Sequence, residues 1–216
     1  DKEPSAWCQI LAENEAQAKR TFDLVKENVK EEPLDCWFTG TGKSSRAIEC
    51  PETHGVIQYL SGRAKGKDGA NPSVAVVNEA HEITNKNQYN ATKSGMGARS
   101  QPMMIVISSA GITPESLYES LYERNKKFLK KKRLGLNDRI FALMFGIDET
   151  DDYRDEACWI KANPAMYEGR PTMEFLRTQL EGMKDDPVLL NTFIAKHMNR
   201  QIGASIDYFS MVAIRN

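Results

Sequence analysis

Thiols, histidines and long apolar runs are all scarce in this sequence, and each scarcity closes off a class of protein. The 216 residues hold four cysteines, Cys8, Cys36, Cys50 and Cys158, and three histidines, His54, His81 and His197. No CxxC pair occurs and the histidines complete no zinc-ligand pattern, so a structural zinc centre is not indicated. Cys8 and Cys158 stand in apolar contexts, which reads as buried, reduced thiols rather than a disulfide framework. No apolar stretch reaches the roughly 18 residues that a membrane-crossing helix needs. The opening DKEPSAW is not a signal peptide, so a cytosolic compartment is expected. An excess of charge of one sign is missing too: the formal net charge is −1. No global basic field therefore announces nucleic acid, which leaves room for a local DNA-contacting patch.

What is present is an ordinary globular balance, 40% hydrophobic and 27% charged, in a chain long enough for one sizeable domain and a small appended subdomain. Two segments stand out. Ser73–His81, SVAVVNEAH, and Met103–Gly111, MMIVISSAG, are apolar, largely β-branched runs that end abruptly in polar chemistry. A buried parallel strand that delivers side chains to a site at its carboxyl end reads this way.

Around them, strand and helix signals alternate. Trp7–Ala12 reads as a buried strand, and Asn14 caps a helix with apolar positions Ala18, Phe22, Val25 and Val29, closed by Pro33. Arg46–Cys50 and Val56–Leu60 read as a hairpin-like strand pair. Arg63–Pro72 is a glycine-rich basic loop with turn chemistry at Asp68-Gly69. Val74–Val77 is a central strand, Asn85–Ser94 a short helix ended by Gly95–Gly97, and Met103–Ser108 another central strand. Thr113 as cap and Pro114 at the first helical position open a long helix with Leu117, Leu121 and Phe128 on its buried face. Arg139–Phe145 is a further strand. After Thr150 the pattern turns helical, around Ala157–Lys161, Met173–Lys184 and Pro187–Met198, with no strand before Ile206–Val212. The expected class is α/β, a mostly parallel sheet flanked by helices, with residues 1–150 as the core and 151–216 as a small helical subdomain or linker.

The two strand ends carry the candidate chemistry. In motor ATPases a carboxylate just beyond a buried strand orients the water that attacks the γ-phosphate, a role open to Glu79. The preceding position usually holds an aspartate that helps to retain Mg²⁺; here it is Asn78, whose amide oxygen accepts from a metal-bound water but lacks the charge. Ser108, Ser109, Ala110 and Gly111 offer small hydroxyls to sense the γ-phosphate. Taken singly, each also reads as a polar strand end or a tight turn. Thr39–Ser45, TGTGKSS, imitates the end of a phosphate loop, but the full pattern needs glycine at position 37, where Trp37 stands, and a strand follows where a helix is required. Arg63 and Arg99 are candidates for an arginine finger, and Lys126–Arg133 for a DNA-backbone contact; solvated loop and helix-end charges are the plainer alternatives.

In order, these segments resemble the large terminase subunit of tailed bacteriophages, the DNA-packaging motor. Asn14–Lys19 (NEAQAK), Lys67–His81 at the Walker B region, Gly95–Gly111 leading into the coupling motif, and Trp159–Pro164 (WIKANP) and Phe193–Asn199 (FIAKHMN) in the linker subdomain carry the resemblance. It implies a RecA-like P-loop NTPase domain of the ASCE type, using ATP and Mg²⁺ to drive double-stranded DNA into a procapsid. It implies a ring of identical subunits on the portal protein, a small terminase subunit as partner, no membrane, and the host cytoplasm as the compartment, for a phage or prophage gene. Glu79 falls at the catalytic glutamate, Asn78 at the Walker B aspartate, and Ser108 to Gly111 at the coupling motif, where Ser109 replaces threonine. The family's phosphate loop would lie upstream of Asp1 and its nuclease domain beyond Asn216. The chain is thus expected to be an ATPase-domain fragment that does not by itself hydrolyse ATP efficiently. A helicase-like DNA-dependent ATPase, and a non-catalytic α/β binding module that kept the fold and lost the chemistry, are the alternatives.

Overall fold

The computed structural model describes residues 5–60, 70–130 and 139–202. Arg63, Lys65, Lys67, the Asp68-Gly69 turn, the last three residues of Lys126–Arg133 and the expected strand Ile206–Val212 lie outside the described residues. The chain divides into two compact units, 1–108 and 109–216.

The first unit is built on a five-stranded sheet of order β2-β3-β1-β4-β5. Its middle strand is β1 (Trp7–Leu11), in which Gln9, Ile10 and Leu11 are all buried, so both faces are covered, as an interior parallel strand requires. Strand β1 pairs in parallel with β3 (Gly55–Tyr59) on one side and β4 (Val74–Asn78) on the other. Strand β2 (Ala47–Cys50) pairs antiparallel with β3, the expected hairpin. Strand β5 (Met103–Ile107) runs parallel to β4, register Val76↔Ile105 and Asn78↔Ile107.

Helix α1 (Glu15–Asn28) covers one face. Asn14 sits in extended backbone and its side-chain oxygen accepts from the Gln17 N–H at 3.1 Å, satisfying an amide that the first turn leaves open. Ala18 and Phe22 are fully buried against Ile10, Ala12, Val29 and Ile48, and the Phe22 ring lies 5.2 Å from that of Tyr59. Burying a side chain like Phe22 stabilises the fold by about 1.5–3 kcal/mol. The helix stops before Pro33 is reached: Val29 is its C-cap, and closing turns place the Lys30 and Glu31 amides on the carbonyls of Glu27 and Asn28.

Three expectations need correction. Strand β5 is not central: among the described strands it is an edge, and Met103, Ile105 and Ile107 are exposed. An apolar β-branched run does not by itself distinguish an interior strand from an edge. The helix expected from Thr113-Pro114 starts later, as α3 (Leu117–Lys130). A turn with Glu115 at φ +57° intervenes, and the cap is Ser116, whose Oγ accepts from the Glu119 N–H at 3.4 Å while a Glu119 carboxylate oxygen accepts from the Glu115 N–H at 2.7 Å. This is a capping-box variant, and Ser116-x-x-Glu119 is its sequence signal. Finally, residues 139–145 form no strand among the described residues: no described segment pairs with them, and Phe141, Leu143 and Phe145 are exposed. An apolar run becomes a strand only where a neighbour satisfies its backbone.

The short helix α2 (Asn87–Gly95) runs into a 3₁₀ turn, Met96–Ala98. In the second unit, α4 (Glu156–Ala162), α5 (Met173–Met183) and α6 (Pro187–Lys196) begin at Asp155, Thr172 and Asp186, whose side-chain oxygens each accept from first-turn amides. Their buried faces share one cluster: Ile147, Cys158, Trp159, Leu176, Phe193, Ile194 and Met198. The indole of Trp159, buried whole, donates from Nε1 to the Tyr153 carbonyl at 2.8 Å. Cys158 is buried and Cys8 half-buried, both free thiols, and burial raises the pKa of each. No helix among the described residues is long and apolar enough to cross a membrane.

Candidate functional site

The carboxyl ends of β4 and β5 meet at one place, because parallel pairing puts Asn78 beside Ile107 and so brings the residues that follow each strand together. That is where open α/β sheets carry their ligand sites. The β4 strand ends at Asn78. The next residue, Glu79, takes φ +52°, the left-handed region that costs a non-glycine residue about 1–2 kcal/mol. The backbone then turns, with the Glu82 amide on the Glu79 carbonyl at 3.0 Å. This kink lifts the Glu79 side chain out of the strand's alternation and leaves it 40% exposed.

Asn78 faces α1. Its Nδ2 donates to the Thr21 hydroxyl at 3.1 Å, and that hydroxyl points on to the Gln17 carbonyl at 3.5 Å. With Nδ2 committed, Asn78 keeps one acceptor, Oδ1.

His81 is the residue the sequence argument passed over. Its imidazole is buried, and Nδ1 lies 3.2 Å from Glu79 Oε2 and 3.2 Å from Ser108 Oγ. The backbone N–H of His81 also donates to Ser108 Oγ, at 3.0 Å. On the other side Nε2 lies 3.7 Å from Glu82 Oε1, and Glu82 Oε2 accepts a short hydrogen bond from Gln17 Nε2. Asn78, Glu79, His81, Glu82 and Ser108 thus form one polar cluster with Gln17 and Thr21 of α1. The only sequence signal for His81 was its position inside the strand-end motif.

Ser109, Ala110 and Gly111 belong to the second unit. There Ala110 is fully buried and its N–H donates to Asn199 Oδ1 at 2.5 Å, while Asn199 Nδ2 donates to the Phe145 carbonyl. Asn199 itself takes φ +49°, and a Cβ added at Gly146 would lie 2.7 Å from its carbonyl oxygen. Asn199 therefore ties the start of this unit to the segment ending at Gly146, a role that spacing along the chain does not reveal. Ser109 and Gly111 flank the Ala110 anchor.

Arg99, a candidate arginine finger, is turned inward: Nε donates to the Asn71 carbonyl at 2.8 Å and Nη2 reaches the Ser5 carbonyl at 3.4 Å. It braces its own chain in this conformation. Lys126 is engaged by Glu149 and lies over the Tyr122 ring. No helix follows Thr39–Ser45. Ser45 N–H closes a turn onto the Gly42 carbonyl and the chain enters β2, so these amides lack the helix N-terminus that cradles phosphate. Gly40 serves the turn instead: at φ +76°, an added Cβ would stand 2.6 Å from the Ala47 carbonyl oxygen. Among the described residues no group of three histidine, cysteine or carboxylate side chains is placed to hold a metal.

The family described as "Terminase large subunit, ATPase domain" matches residues 1–127, more than half of the 216. The chain belongs to the terminase large subunit ATPase family. Among curated relatives, Protein YmfN of Escherichia coli (strain K12) is 34% identical over 161 residues, covering 72% of this chain and 34% of that protein. The Terminase large subunit of Lactococcus phage p2 is 25% identical over 204 residues, covering 93% of this chain and 37% of that protein. The crystal structure of the HK97 bacteriophage large terminase superposes with a TM-score of 0.78 at 20% identity, covering 93% of this chain and 40% of that one. The mixed sheet flanked by helices is therefore the RecA-like fold of a terminase ATPase domain. The chain spans about a third of the length of the curated relatives it matches.

Proposed function

We propose that this terminase-family chain is part of an ATP-hydrolysing motor that packages double-stranded viral DNA into procapsids, with Glu79 as the carboxylate that polarises the attacking water. The observation that carries this reading is Glu79 itself, left-handed at φ +52°, 40% exposed, and placed where two parallel strands end. Strain of this kind persists where the surrounding structure imposes it, most often at functional sites. The family match and the printed names of the phage relatives support the same reading. The partners it carries are double-stranded DNA, a small terminase subunit, a portal protein and further copies of the chain in a ring, in the cytoplasm of a bacterial host. Residues 151–216 are read as the helical linker subdomain, and Ser108 to Gly111 as the coupling motif.

For Mg²⁺ the donor chemistry fits an outer-sphere role. Mg²⁺ prefers hard oxygen donors and keeps several of its waters. Asn78 Oδ1 suits one of those waters, and the carboxylate charge usual at this position is replaced by a neutral amide. When bound, the ion neutralises charge on the nucleotide's β- and γ-phosphates.

The neutral amide of Asn78, its nitrogen committed to Thr21, favours a second reading, a binding module that keeps the fold without turnover, because it brings no charge to a metal at this position. ATP turnover with and without double-stranded DNA, measured on the full-length protein, separates the two. A motor turns over, loses roughly a hundredfold or more with Glu79→Gln, and gains with Asn78→Asp, to which the Thr21 hydroxyl would donate. A binding module shows no turnover with either residue at position 78.

A further inference from the structure

We infer that His81 is a positioning residue that fixes the Glu79 carboxylate and the Ser108 hydroxyl to one imidazole nitrogen, so that the end of β5 and the water-polarising group move as a unit. The inference rests on the reading of Glu79 given above and deepens it.

The geometry is specific on three counts. Nδ1 is equidistant, at 3.2 Å, from Glu79 Oε2 and Ser108 Oγ. The same residue's backbone N–H adds a 3.0 Å bond to that hydroxyl, so Ser108 is gripped twice by His81. An ionised carboxylate oxygen only accepts, so Nδ1 must carry a proton for the Glu79 contact to be attractive. A bare Nδ1 would set a lone pair against Oε2.

Burial makes the arrangement selective. The imidazole side chain is 10% exposed whereas those of Glu79 and Glu82 are 40% and 41% exposed. The ring is therefore the fixed element and the carboxylates are what it holds. Glu82 and Gln17 close the other side: Nε2 stands 3.7 Å from Glu82 Oε1, and Gln17 at the start of α1 bonds the second carboxylate oxygen. A buried histidine serving packing alone would need one partner for each ring nitrogen. Here one nitrogen serves both strand ends that the proposed chemistry uses.

Holding Glu79 matters because its backbone is already strained. A carboxylate on a turn at φ +52° has no strand neighbours to set its rotamer, and His81 Nδ1 supplies that constraint. Displacing a positioned group by about 1 Å costs on the order of a hundredfold in rate.

The test is steady-state ATP turnover by the full-length protein carrying His81→Phe, His81→Asn, Ser108→Ala and, as reference, Glu79→Gln. His81→Phe keeps an aromatic ring and removes the donor; it is expected to lower kcat roughly tenfold to a hundredfold with KM for ATP nearly unchanged. His81→Asn presents an amide N–H near the place of Nδ1 and is expected to recover most of kcat. Ser108→Ala is expected to cost little more in the His81→Phe background than His81→Phe costs alone, because the two groups act together. Long-range ¹H–¹⁵N spectra of the imidazole provide a readout independent of activity: Nδ1 is expected to carry a proton and to shift with Glu79→Gln. Full kcat in a folded His81→Phe protein, or failure of His81→Asn to restore it, overturns the inference. If His81→Phe does not fold, an Nδ1 signal unmoved by Glu79→Gln overturns it. Full turnover by Glu79→Gln instead sinks the assignment of Glu79, and is distinguishable because it does not involve His81.

Discussion

The left-handed backbone at Glu79 makes a stability prediction whose sign is opposite to that at most positions. Glu79→Ala and Glu79→Gly both delete the carboxylate and its contact with His81, so those losses cancel in the comparison between them. What differs is the backbone. At φ +52° alanine pays about 1–2 kcal/mol for its Cβ, and glycine does not. Glycine pays about 0.5–1 kcal/mol more conformational entropy on folding. The net expectation is that the Glu79→Gly protein is more stable than Glu79→Ala by roughly 0.5–1 kcal/mol, or about 1–4 °C in Tm for a chain of this size. Urea titration followed by far-ultraviolet circular dichroism measures it as a shift in midpoint at constant m. At an ordinary strand or helix position alanine is the more stable of the two. An Ala protein equal to or more stable than the Gly protein therefore refutes the strained backbone, and with it the argument that the fold stores strain at this carboxylate.

Gly95→Ala is expected to destabilise by about 2 kcal/mol: the added Cβ would stand 1.9 Å from the Ala70 carbonyl oxygen, an overpacking cost near 3 kcal/mol that outweighs the helix-propensity gain of about 1 kcal/mol. Gly182→Ala, with open space around its Cβ inside α5, keeps only the gain, so melting the two variants side by side checks the geometry. Gln9→Met is expected to stabilise the sheet by about 1 kcal/mol, because Gln9 is fully buried and neither amide atom finds a partner among the described residues; a lower urea midpoint would show that a partner exists. Burial, and then Lys196, hold the His197 pKa below its ordinary 6.5, so the unfolded chain takes up that proton first as pH falls. Stability is then level above about pH 6.5 and declines below it, and His197→Phe, which keeps the ring between Phe175 and Phe193, is expected to flatten that decline in pH-dependent melting curves.

Most of the fold was legible because its signals are local. Asn14 was read as a cap from its residue type and its place before the periodic apolar positions, and the structure puts its side chain on an amide three residues on. The strand β4 and the polar residues that follow it were legible for the same reason. What was not legible depends on partners. Whether MMIVI is an interior or an edge strand is decided by what lies beside it, and whether residues 139–145 are a strand is decided by whether any backbone pairs with them. The start of α3 was misplaced because Thr113-Pro114 and Ser116-x-x-Glu119 are both start signals, and the one that exchanges two hydrogen bonds prevails over the one that merely omits a donor.

The site shows the same division more sharply. Glu79 was singled out from the motif, yet the motif says nothing of φ +52°, which is what takes the carboxylate out of the strand. Ser108 was found as a strand end, while its two bonds to His81 arise only because β4 and β5 are in register. Asn78 is the most instructive case. In the sequence it is a lost charge. In the structure it is also a donor, and a carboxylate at this position has none to give. The Thr21 hydroxyl would then have to turn from the Gln17 carbonyl to donate toward position 78. Gln17 is also the residue that grips Glu82 beside His81. Positions 78 and 81 are thus linked through one residue of α1: Thr21 meets the Gln17 carbonyl, the Gln17 side chain meets Glu82, and Glu82 Oε1 lies 3.7 Å from the imidazole Nε2. An Asn78→Asp change is therefore expected to disturb Thr21 and Gln17 as well as to add a charge at the end of β4.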